Sequence, residues 1–135
     1  MRTISQAAVK TLEVLTQNLK AGQARKIDLT DGTFMAVHVE HLTENTFSVA
    51  HYFLQNGDLC ADPDMTFHRT ADGAWMPTSI TQWAGFRPAM TFNSDGSIKG
   101  FYTGTYNDCL SFASMWMRNI KAQQGGLKAL RAATV

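Results

Sequence analysis

The densest group of residues that could do chemistry lies at positions 51–64, in the sequence HYFLQNGDLCADPD. Carboxylates are hard oxygen ligands, so Asp58, Asp62 and Asp64 could together bind Mg²⁺ or Ca²⁺. His51 could act beside them as a general base if one of these carboxylates orients its ring. The acids lack the alternating ligands and the glycine at the sixth position that an EF-hand loop requires. A metal-dependent enzyme acting on nucleic acid or nucleotides through these four residues is therefore the alternative hypothesis, not the favoured one.

The same segment has a simpler interpretation, in which its residues shape the backbone. Asn56, Gly57 and Asp58 are typical of a sharp chain reversal, and Asp62 before Pro63 favours the start of a turn. We therefore predict a loop over residues 55–63 that turns the chain and presents a surface. The candidate functional residues, none assigned as catalytic or as a metal ligand, are His51, Tyr52, Gln55, Asn56, Asp58, Asp62 and Asp64.

Other reactive side chains form no recognised pattern. His38 and Glu40 share a strand face, where they could be metal ligands but are more typical of a solvated sheet surface. Cys60 and Cys109 lie far apart and form no C-x-x-C pair. The chain contains no nucleophile elbow, no P-loop and no dinucleotide-binding glycine pattern. We expect no cofactor and favour a protein that is not an enzyme.

Aromatic residues close to an arginine suggest a surface for a protein partner. Trp75, Trp83 and Phe86 precede Arg87, and exposed aromatic residues with an arginine are typical anchors of protein interfaces. The same aromatic residues could instead fill the core. The candidate partner-binding residues are Trp75, Trp83, Arg87, Trp116 and Arg118.

Two helices are predicted, one near each end of the chain. Apolar residues at steps of three and four predict a helix over about Thr3–Ala21, with Thr3 and Gln6 as a capping pair. A second helix is predicted over about Tyr106–Gln123. Its apolar surface is wider than one contact with a sheet requires, so it lies between the sheet and the first helix or also contacts a partner.

Seven strands are predicted between the helices. Asp31-Gly32 and Asp95-Gly96 supply the positive φ angles of hairpin turns, and Pro77 suggests that its strand lies at a sheet edge or starts late. The predicted strands are Lys26–Thr30, Thr33–His41, Thr46–Leu54, Met65–Thr70, Trp75–Trp83, Arg87–Asn93 and Ser97–Tyr102.

The order of helix, several strands and helix favours an α+β fold over alternating βαβ units. We predict a mostly antiparallel sheet of about five to seven strands, with an N-terminal and a C-terminal helix packed on it. A single domain is expected over residues 1–124. Residues 125–135 are expected to form a tail that is frayed or makes a short turn of helix.

Composition narrows the class of partner. The 135 residues carry a formal net charge of +1, which creates no field that would attract a polyanion and argues against a nucleic acid partner. The N-terminus lacks the apolar core of a signal peptide, and no run approaches the roughly 18 apolar residues of a membrane span. We expect a cytoplasmic protein without membrane contact. Its oligomeric state is open, with a homodimer among the options.

The run AHYFLQNGDLCADPDMTF at positions 50–67 resembles the central motif of a bacterial domain-of-unknown-function family carried on plasmids, integrative elements and phages. That motif reads H-Y-[YF]-x-Q-N-G-D-L, followed by D-P-[DE]-M-x-F. The run LSFASMWMRNIKAQ at positions 110–123 resembles the closing helix of the same family. Cys60 stands where family members often have methionine or valine, which weakens any catalytic role for this thiol. The residues that match the family pattern are His51, Tyr52, Gln55, Asn56, Gly57, Asp58, Asp62, Pro63, Trp116, Asn119 and Gln123.

The resemblance spans about residues 34–124 and implies no particular reaction. It implies a small cargo protein of a mobile element or phage. Such proteins often act by covering a target, so we expect a non-catalytic binding protein that inhibits a host defence system through protein–protein contact.

Overall fold

The computed structural model describes residues 1–135 and has three helices and eight strands. The predicted α+β fold, a mainly antiparallel sheet flanked by terminal helices, is confirmed. The elements are α1 Gln6–Thr16, β1 Ala24–Ile27, β2 Val37–Thr43, β3 Thr46–Gln55, β4 Asp58–Arg69, β5 Trp75–Gln82, β6 Gly85–Pro88, β7 Met90–Phe92, β8 Ile98–Phe101, α2 Thr103–Gln123 and α3 Leu127–Ala133.

The main sheet is a six-stranded antiparallel meander in the order β1-β2-β3-β4-β5-β6. Each strand pairs with the next strand along the chain, so successive connections alternate between the two ends of the sheet. The β1–β2, β3–β4 and β5–β6 connections therefore lie at the same end, which we call the distal end. Loops at the same end of the sheet can form one joint surface, whereas loops at opposite ends cannot.

One face of the sheet packs against the helices. Alternate residues of β2, β3 and β4 point to this face and are fully buried together with the apolar sides of α1 and α2. Burying a large apolar side chain contributes roughly 1.5–3 kcal/mol, so this layer dominates the stability of the fold. The strand residues at the centre of this core are Val37, Val39, Phe47, Val49, Met65 and Phe67.

The opposite face is mainly polar, and cross-strand neighbours form two rows on it. In the first row His38 pairs with Ala50, which pairs with Asp64. In the second row Glu40 pairs with Ser48, which pairs with Thr66. No helix packs on these rows, and we call this surface the polar face.

The β7–β8 hairpin forms a separate two-stranded sheet that follows β6 along the chain. The predicted strand Arg87–Asn93 is interrupted at Ala89, whose N–H donates to the carbonyl of Thr78 at 2.8 Å. The Asp95 carboxylate accepts a hydrogen bond from the N–H of Ser97 at 2.9 Å, as an aspartate in a tight turn commonly does. Thr78 is the extra residue of β5 at the register shift opposite Thr66 and Phe67, so β5 bends there.

Three local predictions are wrong. Helix α1 is capped by Ser5, which accepts from the N–H of Ala8, and not by the pair of Thr3 and Gln6. The helix ends at Thr16, because Asn18 adopts a positive φ of 60° and redirects the chain toward β2. Pro77 lies within β5, an interior strand that begins at Trp75. It pairs with Phe67 of β4, whereas β6 pairs with β5 only from Ser79 to Gln82, so the proline has a strand neighbour on one side alone.

The β1–β2 connection is longer than predicted. Ile27 pairs with Val37, so no hairpin pairing exists between Leu29 and Phe34. The Asp28 carboxylate holds the loop by accepting hydrogen bonds from the N–H and the hydroxyl of Thr30, each at 3.0 Å. These bonds stabilise a local turn in place of two further ladder pairs.

The C-terminal residues end in a short helix and not in a frayed segment. Leu130 of α3 is fully buried against the rest of the fold. The side-chain amide of Gln17 donates to the hydroxyl of Thr134 at 2.6 Å. Helix α3 is therefore anchored on α1 by both an apolar and a polar contact.

Candidate functional site

The predicted loop over residues 55–63 is a β-hairpin instead. Strand β3 continues to Gln55 and β4 begins at Asp58, so only Asn56 and Gly57 form the turn. Their φ angles are 53° and 84°, both in the region that a primed two-residue hairpin turn requires. The prediction of a reversal at Asn56-Gly57 was right, but the turn needs only two residues and leaves the others free to extend the ladder.

The hairpin protrudes beyond its neighbours. Strand β2 pairs with β3 only as far as Ala50, and β5 pairs with β4 only from Asp64. Residues 52–61, which we call the arm, therefore pair only with each other. Leu54 lies directly opposite Leu59 near the tip, and these side chains are 73% and 66% exposed.

A β-bulge forms the base of the arm. The β3–β4 register shifts between Ala50 and Tyr52, so Asp62 and Pro63 both lie opposite His51. The Asp62–Pro63 peptide bond is cis, and this dipeptide lies within β4 and not at the start of a turn. A bulge bends a strand and increases its twist, which sets the direction of the arm relative to the sheet.

His51 points into the core and is 5% exposed. Its Nδ1 accepts a hydrogen bond from Trp116 Nε1 at 3.4 Å, and its Nε2 has no partner. Burial lowers the pKa of His51 below the usual value of 6.5, and the nearby His38 lowers it further. His51 is thus a buried packing residue shielded from solvent.

The four residues of the alternative metal hypothesis are not brought together. Asp58 lies at the arm tip, Asp62 lies in the bulge, and Asp64 on the polar face accepts a hydrogen bond from Ser48 Oγ at 2.8 Å. No group of three or more histidine, cysteine, aspartate or glutamate side chains in the chain could hold a metal ion. His51, Asp58, Asp62 and Asp64 therefore do not form one ion site.

The polar face contains a shallow cavity of about 330 Å³. His38 and Glu40 lie on this face together, as predicted, and the rings of His38 and Tyr52 meet edge to face at 4.9 Å. Burial raises the pKa of Tyr52, as do Asp64 and Glu40. Burial also lowers the pKa of His38, with a further contribution from Lys26. The cavity offers hydrogen-bonding groups beside the arm.

The structure divides the predicted partner-binding residues into two groups. Trp75 and Trp116 are buried in the core, at 0% and 4% exposed, and are not available to a partner. Trp83 lies in the β5–β6 connection and is 80% exposed. Arg87 contacts Gln82 and, at 3.8 Å, Asp108. Arg118 is exposed on α2, far along the chain from Trp83.

Exposed apolar side chains are concentrated in the three distal connections and the strand ends that flank them. Each connection with its flanking strand ends contributes at least two, although sequence reasoning singled out only Trp83 and Phe86 among them. The missed signal was topological, because a meander brings alternate connections to one end. We call this set the apolar end; it consists of Leu29, Phe34, Met35, Leu54, Leu59, Trp83 and Phe86.

The turn and tip residues of the apolar end carry negative charges only, and two cations flank them. Residues 28–36, 54–59 and 83–86 include Asp28, Asp31 and Asp58 and contain no lysine or arginine. Hydrogen bonds from the backbone and side chain of Thr30 lower the pKa of Asp28, which keeps this carboxylate ionised. Three carboxylates therefore lie at the apolar end, with Lys26 close to Asp28 and Arg87 next to Phe86 along the chain.

These features define an α+β domain built on an antiparallel meander, with helices on one face and a protruding arm. The chain belongs to the family described as Domain of unknown function (DUF6908), whose model matches residues 7–126. The predicted membership of a family of unknown function is thereby confirmed. Comparisons with curated proteins and with solved structures give no match. No helix of the chain has both the length and the apolarity needed to cross a membrane.

Proposed function

We propose that this domain is a non-catalytic binding protein that docks on a partner protein through its apolar end. The observation that carries the proposal is the exposure of seven large apolar side chains at one end of a sheet whose core is complete without them. Large apolar patches on soluble domains are commonly interaction sites.

The arm suits this role because it combines apolar side chains with free backbone groups. Leu54 and Leu59 are a direct cross-strand pair and present a joint apolar surface. Beyond Ala50 in β3 and before Asp64 in β4, the outer edges of the arm have no strand partner. A partner strand could add to such an edge through main-chain hydrogen bonds while a recess takes up the leucines.

Trp83 and Phe86 are the strongest candidates for anchor residues. Tryptophan is enriched among residues that dominate interface energies, and truncating such a residue typically costs at least about 2 kcal/mol of binding. Trp83 is mostly exposed, so a partner would bury nearly its whole side chain. Trp75 and Trp116 belong to the buried core, whereas Trp83 does not.

Charge defines the chemistry of the partner. Asp28, Asp31 and Asp58 border the apolar end, so the complementary surface is an apolar recess bordered by lysine and arginine. The same carboxylates would repel an anionic membrane and the phosphates of nucleic acid. They would also repel the equivalent end of a second copy.

The resemblance to mobile-element cargo directs the search to bacterial defence systems. A domain that covers a nuclease or its complex needs a surface that binds this target and no catalytic group of its own. This function is consistent with the lack of a catalytic signature in the sequence.

The test compares two leucines at opposite ends of the sheet. Leu59 is at the arm tip, whereas Leu42, 40% exposed, is near the end of β2 at the other end. A photo-crosslinking amino acid is placed at each position in separate variants, which are irradiated in bacterial lysate. We expect one protein to be captured from position 59 and not from position 42. That protein is then purified for binding measurements.

Calorimetry with the purified protein decides the proposal. Trp83→Ala and Leu59→Ala should each weaken binding by about tenfold or more, whereas Leu42→Ala should leave it unchanged. Equal binding by all three variants would refute docking at the apolar end. Sedimentation of the chain alone as a dimer sensitive to Leu59→Ala, or its co-sedimentation with lipid vesicles, would refute the assigned partner class.

A further inference from the structure

A cavity of about 230 Å³ lies between α1 and α2, on the helical layer of the fold. Small side chains of α1 form one wall, and Ser114, Arg118 and Lys121 of α2 form the other. A second cavity of about 160 Å³ adjoins it through Ser5 and Ser114, whose hydroxyl oxygens are 3.1 Å apart. Arg2 lines this second cavity. Together the two cavities form one groove with cations at both ends.

The positive charge in this groove is not neutralised within the chain. The only two ion pairs are Arg69 with Glu13 and Arg87 with Asp108, so Arg2, Arg118 and Lys121 have no carboxylate partner. No aspartate or glutamate lines either cavity. Three cations around a recess without a counter-charge attract an anion.

A hydroxyl at the cavity wall adds a donor for the same kind of ligand. Thr11 is a mostly buried residue of α1 that lines the larger cavity. A threonine hydroxyl carries one O–H donor, so it can donate to an acceptor inside the cavity. The hydroxyls of Ser5 and Ser114 provide further donors beside it.

We infer that the groove between α1 and α2 binds a phosphate-type oxyanion, either free phosphate or the terminal phosphate of a small phosphomonoester. Arg118 supplies a planar set of donors that matches phosphate oxygens, and Lys121 supplies a point charge. The hydroxyls of Thr11 and Ser114 complete the donor set. A water occupies about 30 Å³ of liquid volume, so the larger cavity has room for a phosphate group.

The test is calorimetric titration of the whole chain with inorganic phosphate and, separately, with a nucleoside monophosphate, at constant ionic strength. Saturable binding is expected in at least one of the two titrations, and their comparison identifies the source of the phosphate. The double variant Arg118→Gln/Lys121→Gln should bind at least about tenfold more weakly, because it loses two charge-assisted contacts. The matched double variant Lys99→Gln/Lys128→Gln removes the same charge outside the groove and should bind within about twofold of the natural chain.

Thr11 gives a second measurement that does not alter charge. Thr11→Val removes the hydroxyl while keeping the shape, and Thr11→Ser keeps the hydroxyl. We expect Thr11→Val to weaken binding and Thr11→Ser to retain it, with both folded by circular dichroism. The inference is overturned if neither ligand saturates the natural chain. Equal weakening by the two double variants, or equal binding by the two Thr11 variants, would also overturn it.

Discussion

His51 of β3 and Trp116 of α2 meet edge to face, with ring centroids 5.3 Å apart. Because Trp116 donates to His51 Nδ1, the neutral imidazole carries its proton on Nε2, where no acceptor lies within reach. His51 is also the residue opposite the bulge at the base of the arm. This contact therefore connects the helical layer to the point at which the arm leaves the sheet.

The His51 contact predicts a stability that depends on pH. Burial lowers the pKa of His51 in the folded protein, so the unfolded chain takes up a proton at a higher pH. Above the ordinary value of 6.5 both states are neutral and the full stability is present. As the pH falls from 6.5 toward the folded pKa, the unfolded state binds more protons and the free energy of unfolding decreases.

Urea unfolding between about pH 7.5 and pH 5 measures how steeply the free energy of unfolding changes with pH. For one proton this slope is at most about 1.4 kcal/mol per pH unit. His51→Gln should have a smaller slope than the natural chain. His38→Gln should reduce it too, because burial also lowers the pKa of His38. Identical slopes in His51→Gln and the natural chain would show that His51 does not titrate in this range.

Trp75 and Trp83 differ in burial, so replacing each with alanine tests what burial contributes to the free energy of unfolding. Trp75 is fully buried, donates to Glu13 Oε1 at 2.8 Å and has the Arg69 guanidinium 5.7 Å from its ring. Trp75→Ala should lower the free energy of unfolding by about 3–5 kcal/mol through the cavity it leaves. Trp83→Ala should change it by less than about 0.5 kcal/mol, because Trp83 is mainly in solvent.

Urea unfolding monitored by far-UV circular dichroism compares the two tryptophan variants. A large loss of stability in Trp83→Ala would mean that this side chain packs in the fold and is not free for a partner. A small loss in Trp75→Ala would contradict its place in the core.

Local sequence signals predicted much of the fold. Asp31-Gly32, Asn56-Gly57 and Asp95-Gly96 all mark chain reversals, because their φ angles are properties of a few adjacent residues. The alternation of Phe47, Val49 and His51 placed them on one face. That face proved to be the core.

Burial and long-range pairing could not be predicted in the same way. Trp75 and Trp83 stand in equivalent aromatic contexts in the sequence, and only the packing of α1 and α2 over β5 separates them. The arm was taken for a loop because its acids suggested a turn, whereas strand extension depends on pairing between Leu54 and Leu59. That Thr11 lines one cavity with Arg118 and Lys121 becomes visible only once the two helices are placed together.

The two cysteines should differ sharply in reactivity. Cys109 is buried, and desolvation raises its pKa to about 11, so almost no thiolate forms at neutral pH. Cys60 lies on the arm and is partly exposed. A thiol reagent such as Ellman's should therefore label one thiol in the folded chain and two in denaturant.

Single replacements assign the two thiol signals. Cys60→Ser should abolish labelling of the folded chain, and Cys109→Ser should leave it intact. Rapid labelling of Cys109 in folded Cys60→Ser would show that α2 opens readily.

The turn of the arm offers a test of backbone strain without packing effects. Gly57 has a φ of 84°, and an added Cβ would meet no atom within 4 Å. Gly57→Ala should therefore destabilise the arm by about 1 kcal/mol, solely because alanine disfavours a positive φ. Gly104, in the first turn of α2, also has free space but no positive φ, so Gly104→Ala should be neutral or stabilise the chain by up to about 1 kcal/mol.

Hydrogen exchange of the arm amides measures this difference locally. Exchange at Phe53 and Cys60, which form a hydrogen-bonded pair of the arm, should accelerate by about fivefold in Gly57→Ala, as about 1 kcal/mol implies. Amides of α2 should keep their protection, because the arm pairs only with itself. Unchanged arm exchange in Gly57→Ala would mean that Asn56 and Gly57 do not hold the primed turn, and the rigid presentation of Leu54 and Leu59 would lose its structural basis.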